Sequence, residues 1–148
     1  MFDYILLTIV LALSLLVGYL VAYLARDEIN KAKKYIHFIQ KIIILIIILI
    51  SIFISLDVWF IAGLIFGYFF REIMLYLGIA FESALLLNYG MLFSFFIFIA
   101  GLFSGMLRYK DISKILIGIL AFLIPMLLYF LDINLISFAA GALIWSLK

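Results

Sequence analysis

The stretch Val58–Leu87, VWFIAGLIFGYFFREIMLYLGIAFESALLL, decides the fold, because its reading turns on Arg71 and Glu72, two adjacent charges in an almost wholly apolar run. Threaded as one helix from Val58 to Phe81, it would hold both near mid-membrane, where a charge such as Arg costs about 2.5–3.5 kcal/mol. Adjacent residues on a helix do not face each other, so the pair could not neutralise itself. Broken at the pair, the stretch gives two short helices, Val58–Phe70 and Ile73–Leu87. Tyr68, Phe69 and Phe70 then meet Arg71 at the kind of aromatic and basic boundary found at a membrane interface. One helix gives six crossings for the chain, and two helices give seven. Length opposes seven, since runs of about 13–15 residues reach about 20–22 Å against a hydrocarbon core of roughly 30 Å. Mismatch costs only fractions of a kcal/mol per Å. Charge placement therefore outweighs length, and seven crossings are expected, with six as the runner-up.

That lipid is the solvent follows from composition. Of 148 residues 71% are hydrophobic and 12% charged, whereas soluble domains carry about 25% charged residues. One integral membrane domain over residues 1–148, an all-α polytopic bundle, is expected. The ten basic residues are scattered between apolar runs and the formal net charge is only +2, which leaves no extended patch for nucleic acid. With no cysteine there is no disulfide framework, thiolate nucleophile or sulfur-ligated metal.

The first run, Tyr4–Leu24, is long enough to cross, and Asp3 before it with Arg26 after it argue against a cleaved signal peptide. Ser14, Gly18 and Ala22 recur every fourth residue and offer a close-packing face. Ala25–Lys41, ARDEINKAKKYIHFIQK, is the one long polar interruption and holds half of the basic residues. Ile29, Ala32, Ile36 and Ile39 follow helical spacing there, which predicts a short helix lying in the interface. Arg26, Lys31, Lys33, Lys34 and Lys41 are its candidate lipid-headgroup residues, each worth about 1 kcal/mol near an anionic surface. The only histidine, His37, has no second histidine or cysteine to share a metal with, so no metal site and no cofactor are expected. Ile42–Leu56, ended by Asp57, forms the second span. Ile73–Leu107 is apolar except at Glu82, Ser83, Asn88 and Gly90 and too long for one span; after the basic turn Arg108–Lys114 come Ile115–Leu131, with Pro125 expected to kink it, then Asp132 and a short last run, Ile133–Leu147.

The two ends of the chain echo each other. Gly18, Ala22, Leu24 and Glu28-Ile29 align without gaps on Gly101, Gly105, Leu107 and Asp111-Ile112, and Phe60-Ile61-Ala62-Gly63 aligns on Phe138-Ala139-Ala140-Gly141. The implied layout is a 3+1+3 repeat of seven short spans with Ile73–Leu87 as the extra linking helix. All ten basic residues then share one side, with Asp3, Asp57, Glu82, Asn88 and Asp132 at or near the other. The positive side is cytoplasmic by rule, which puts the N-terminus outside and Ala25–Lys41 in the cytoplasm of a multi-pass cell-membrane protein.

No nucleophile with its base, carboxylate pair on one helical face, HExxH or glycine-rich phosphate loop is present, so no enzyme is expected. The candidate solute-path residues are Asp57, Asp132, Arg71, Glu72, Glu82 and Asn88, with Asp57 and Asp132 paired by the repeat. The candidate helix-packing residues are Gly18, Gly63, Gly67, Gly101, Gly105 and Gly141. Internal repeats are common in transporters, so the leading expectation is a small solute or ion transporter or channel. The alternative is a non-catalytic structural or assembly subunit of a larger membrane complex, with lipid handling through the basic stretch as a third reading. Membrane lipids, and a homo-oligomer or membrane-protein partner, are the expected associates.

Overall fold

A computed structural model describes residues 2–126 and 134–148, and among these every regular element is helical. In chain order they are α1 (Phe2–Leu24), α2 (Arg26–Ile54), α3 (Trp59–Phe69), α4 (Ile73–Leu86), α5 (Gly90–Leu107), α6 (Ile112–Leu123) and α7 (Ile136–Leu143), the last continued by a 3₁₀ turn, Ile144–Leu147. Three of them, over Ile5–Leu24, Arg26–Ile54 and Gly90–Leu107, are long and apolar enough to cross a membrane. This fits a membrane protein. The other four are apolar but shorter.

The chain breaks where the charges are. Phe70, Arg71 and Glu72 leave the helix, and Glu72 caps α4 by accepting from the Met74 amide at 3.3 Å. Two residues of the extended linker thus carry the charges that one continuous helix would have buried. At the other end of α4 Asn88 adopts a left-handed backbone, φ 64°. The Tyr89 amide donates back to the Ala84 carbonyl and the Asn88 amide to that of Leu85, the two bonds of a Schellman cap, for which Asn is a common substitute for Gly. Asn88 is therefore a helix-ending residue at an exposed turn.

Two tight pairs organise the bundle. Helix α1 packs most extensively on α5, and α3 on α7. A Cβ on Gly101 would strike Ser14, one on Gly105 the backbone of Leu15 and Tyr19, and one on Gly18 the carbonyl of Leu102. Moving forward along α1 moves forward along α5, so the pair is parallel. Gly63 meets Phe138, Gly67 meets Ala142, and Gly141 meets Phe60 and Leu64, which makes α3 and α7 parallel as well. In lipid the hydrophobic effect gives helices no reason to associate, and backbone-to-backbone approach over small residues supplies the dispersion energy instead.

Helix α4 lies between the pairs, in contact with α5, α6 and α7. Ten of its residues, Met74 and Tyr76–Ala84, are buried except for the intervening Leu75. Ser83 accepts from the Leu135 amide at 2.9 Å while Tyr76 lies beside Phe138, so α4 runs against α7. It runs with α6, whose Gly118 and Phe122 follow Met74 and Phe81 in order. The described helices therefore fall into two directions: α2, α4 and α6 start at the end of the bundle where α1, α3, α5 and α7 finish.

One expectation about local structure changes. Ala25–Lys41 is not a separate helix; from Arg26 it forms the first half of a continuous 29-residue helix. Its buried face runs through Ile36, Gln40, Ile43 and Ile44, whereas Ile39 is 44% exposed. Asn30 bonds Tyr109 in the turn after α5 and Gln40 bonds Ser104 in the last turns of α5, so this half of α2 lies against the end of α5. Helix α6 runs to Leu123, Ile124 keeps helical dihedrals, and after a two-residue turn at Ile124 and Pro125 the chain is helical again at Met126; the rest of the expected run, to Leu131, lies outside the described residues. Pro125 packs near Gly78 of α4.

Candidate functional site

All ten basic residues gather at the end of the bundle where α2, α4 and α6 begin, and a broad groove opens there. It holds about 660 Å³ and lies between the first half of α2 and the last turns of α5. Asn30, Lys31, Lys33, Lys34, His37 and Gln40 come from α2, Ile73 from the start of α4, and Ser104, Leu107 and Arg108 from the end of α5. Helical spacing puts Lys33, His37 and Gln40 on one face. The floor is polar and closed, with the Gln40 amide donating to the Ser104 hydroxyl at 2.6 Å and both residues at most 3% exposed.

Arg108 is held in place from the side. Its Nη2 donates to Glu72 Oε1 at 2.9 Å, and Nη1 reaches the Lys114 carbonyl at 3.4 Å. The pair ties the end of α5 to the start of α4, with both side chains less than a third exposed. Asp111 opens α6 by capping the Lys114 amide, and its hydrogen bonds with Ser113 and Lys114 hold its carboxyl below the usual aspartate range. A bound anion in the groove would face the lysine ammoniums and the guanidinium across an apolar wall of Ile73 and Leu107. That combination suits an amphiphile with a negative head. It has no hydrolytic constellation, and no group of three metal-ligating side chains occurs among the described residues.

The candidate residues taken from the sequence separate into different places. Of the headgroup set, Lys31, Lys33 and Lys34 line this groove, Arg26 lines a second one, and Lys41 donates to the Lys148 carbonyl at 3.1 Å. Arg71 is exposed, with its guanidinium 5.9 Å above the Tyr68 ring, while Glu72 joins Arg108. Asp57 lies at the far end, where it accepts from the Trp59 amide and from the Ser137 hydroxyl of α7. Asp132, its repeat counterpart, lies outside the described residues, and Asn88 closes α4. Glu82 sits toward that far end and is fully buried among the helices, where the Thr8 hydroxyl of α1 donates to it at 3.5 Å.

Arg108, His37, Gln40 and Ser104 are groove residues that sequence reasoning did not assign. Gln40 carried a signal, being a polar residue just before an unbroken Ile and Leu run and in register with Lys33 and His37. Arg108 and Ser104 carried none without the helix pairing. No protein-family description, curated protein or solved structure matches the chain.

Proposed function

We propose that the protein is a seven-crossing membrane protein that holds an anionic amphiphile at its basic, cytoplasmic end. The observation that carries this reading is the convergence of Lys31, Lys33, Lys34 and Arg108 on one groove with an apolar wall. Basic pockets between membrane helices on the cytoplasmic side suit lipid phosphates, and juxtamembrane cations add about 1 kcal/mol each. The two helix directions support the seven-crossing layout, and the short α3, α4, α6 and α7 fit it through local thinning of the bilayer. In native mass spectrometry the purified chain is expected to retain phosphatidylglycerol over phosphatidylcholine. Lys34→Gln combined with Arg108→Gln should weaken that retention about tenfold, at roughly 1 kcal/mol per cation and more for a charge-assisted bond. Undiminished retention in the double variant would rule the groove out.

The second reading, a solute or ion transporter built from two three-helix units, draws support from reciprocal packing. Gly63 seats on the Phe138 carbonyl and Gly141 on the Phe60 carbonyl, and these residues are equivalent in the sequence alignment of the two ends. Contacts that exchange in this way are the mark of two-fold relatedness. Parallel pairs put such an axis along the membrane normal, as in transporters made of parallel repeats. Solute flux into proteoliposomes, with Glu82→Gln as the comparison, tests it. A stoichiometric partner retained in mild detergent would favour the subunit reading instead.

A further inference from the structure

A second groove adjoins the first. It holds about 350 Å³ and is lined by Tyr19, Tyr23, Arg26, Tyr109 and Lys110. One interaction joins the two linings, the Tyr109 hydroxyl donating to Asn30 Oδ1 at 2.7 Å, with Asn30 lining the first groove and Tyr109 the second. The cations are thus divided into two sets across that bond: Lys31, Lys33, Lys34 and Arg108 on one side, Arg26 and Lys110 on the other. The second groove has no carboxylate in its own lining; Asp27 and Glu28 line a separate crevice at the bend between α1 and α2, on the other side of Arg26.

The second groove is built like a headgroup seat. Tyr19 and Tyr23 stack along α1 at 6.3 Å, and the Lys110 ammonium stands 5.8 Å from the Tyr109 ring centre. Tyrosines at this depth present an apolar body to acyl chains and a hydroxyl to the interface, and the arginine supplies a planar fork that matches phosphate oxygens. One monoanionic headgroup satisfies one set of cations and leaves the other facing water.

We infer that the two grooves together form one site for a lipid that carries two phosphodiesters on a short linker, one phosphate in each groove, as in a diphosphatidylglycerol. This rests on the reading of the basic end as an anion-binding surface. Once the first phosphate is seated, the second meets its cations as an intramolecular event at high effective concentration, so a two-headed lipid gains over two separate ones.

The test titrates the full-length protein in detergent with diphosphatidylglycerol or phosphatidylglycerol at equal phosphate, and reads bound lipid by native mass spectrometry. About a tenfold preference for the two-headed lipid is expected. In Arg26→Gln with Lys110→Gln, both exposed, the preference should vanish while phosphatidylglycerol retention stays. Equal binding per phosphate in the native protein, or a preference that survives the double variant, overturns the two-groove site and leaves the first groove standing. Retention of neither lipid above phosphatidylcholine overturns both.

Discussion

Gly63→Ala and Gly141→Ala should each destabilise the protein by about 3 kcal/mol, the upper end of the range for overpacking a close-packed interior. The reason is the nature of the obstacle. A new methyl at either position would run into a backbone carbonyl, that of Phe138 or of Phe60. Backbone cannot rotate away as a side chain can, so α3 and α7 must separate along their whole contact, and lipid-immersed helices have little else to hold them. Gly118→Ala is the internal control. Its methyl would meet only side chains, the Arg108 guanidinium at 3.1 Å, a Leu15 methyl at 3.2 Å and Met74 Cγ at 3.4 Å, all of which can shift. Thermal unfolding in detergent should show a large drop for the first two variants and less than about 1 kcal/mol for the third. Equal losses for all three would mean that the close approach of α3 and α7 is not what holds them.

Opposite effects on stability and binding are expected at the Arg108–Glu72 pair. Arg108→Leu removes a groove cation and leaves Glu72 without its partner in a setting less than a third exposed, so both stability, by about 2 kcal/mol, and anionic-lipid retention should fall. Glu72→Gln keeps the shape of the side chain and an oxygen able to cap α4, but it removes the negative charge that Arg108 now faces. Stability should fall by only about 1 kcal/mol, and retention of phosphatidylglycerol should rise, since the guanidinium becomes free to turn toward the groove. Parallel losses of retention in both variants would show that Glu72 positions Arg108 for the anion rather than competing with it.

The sequence carried the architecture through its charges. Arg71 and Glu72 marked the break between α3 and α4 because no lipid-facing helix tolerates them, and Asp57 marked the turn between α2 and α3. The glycines at four-residue spacing told that helices would approach closely but not which ones, since pairing across 84 positions, Gly18 against Leu102, leaves no local trace. Burial of α4 was illegible for a related reason. In lipid an apolar helix reads the same whether it faces acyl chains or other helices, and only the small residues Gly78, Ala80, Ser83 and Ala84 hinted at crowding. That Glu82 is buried beside Thr8 was accordingly not legible either. The basic stretch was visible as a headgroup-binding segment, but the groove needed a second wall, and that wall is the end of α5, contributed from Ser104–Arg108. Splitting of the cations into two sets depends on Tyr109 and Asn30, 79 residues apart, and no periodicity reports it.

The claim beneath all of this is that α1 and α5 run parallel, with both basic turns on one side of the membrane. The absence of cysteine makes it directly measurable. Single cysteines at Ala32, Ser113 and Val58, at the two basic turns and the opposite end respectively, would be labelled in oriented vesicles with a membrane-impermeant maleimide. Parallel packing predicts that Ala32→Cys and Ser113→Cys react from the same face and Val58→Cys from the other. Labelling of Ser113→Cys from the face opposite to Ala32→Cys would contradict it, returning Arg71 and Glu72 to the membrane interior and removing Arg108 from the basic groove.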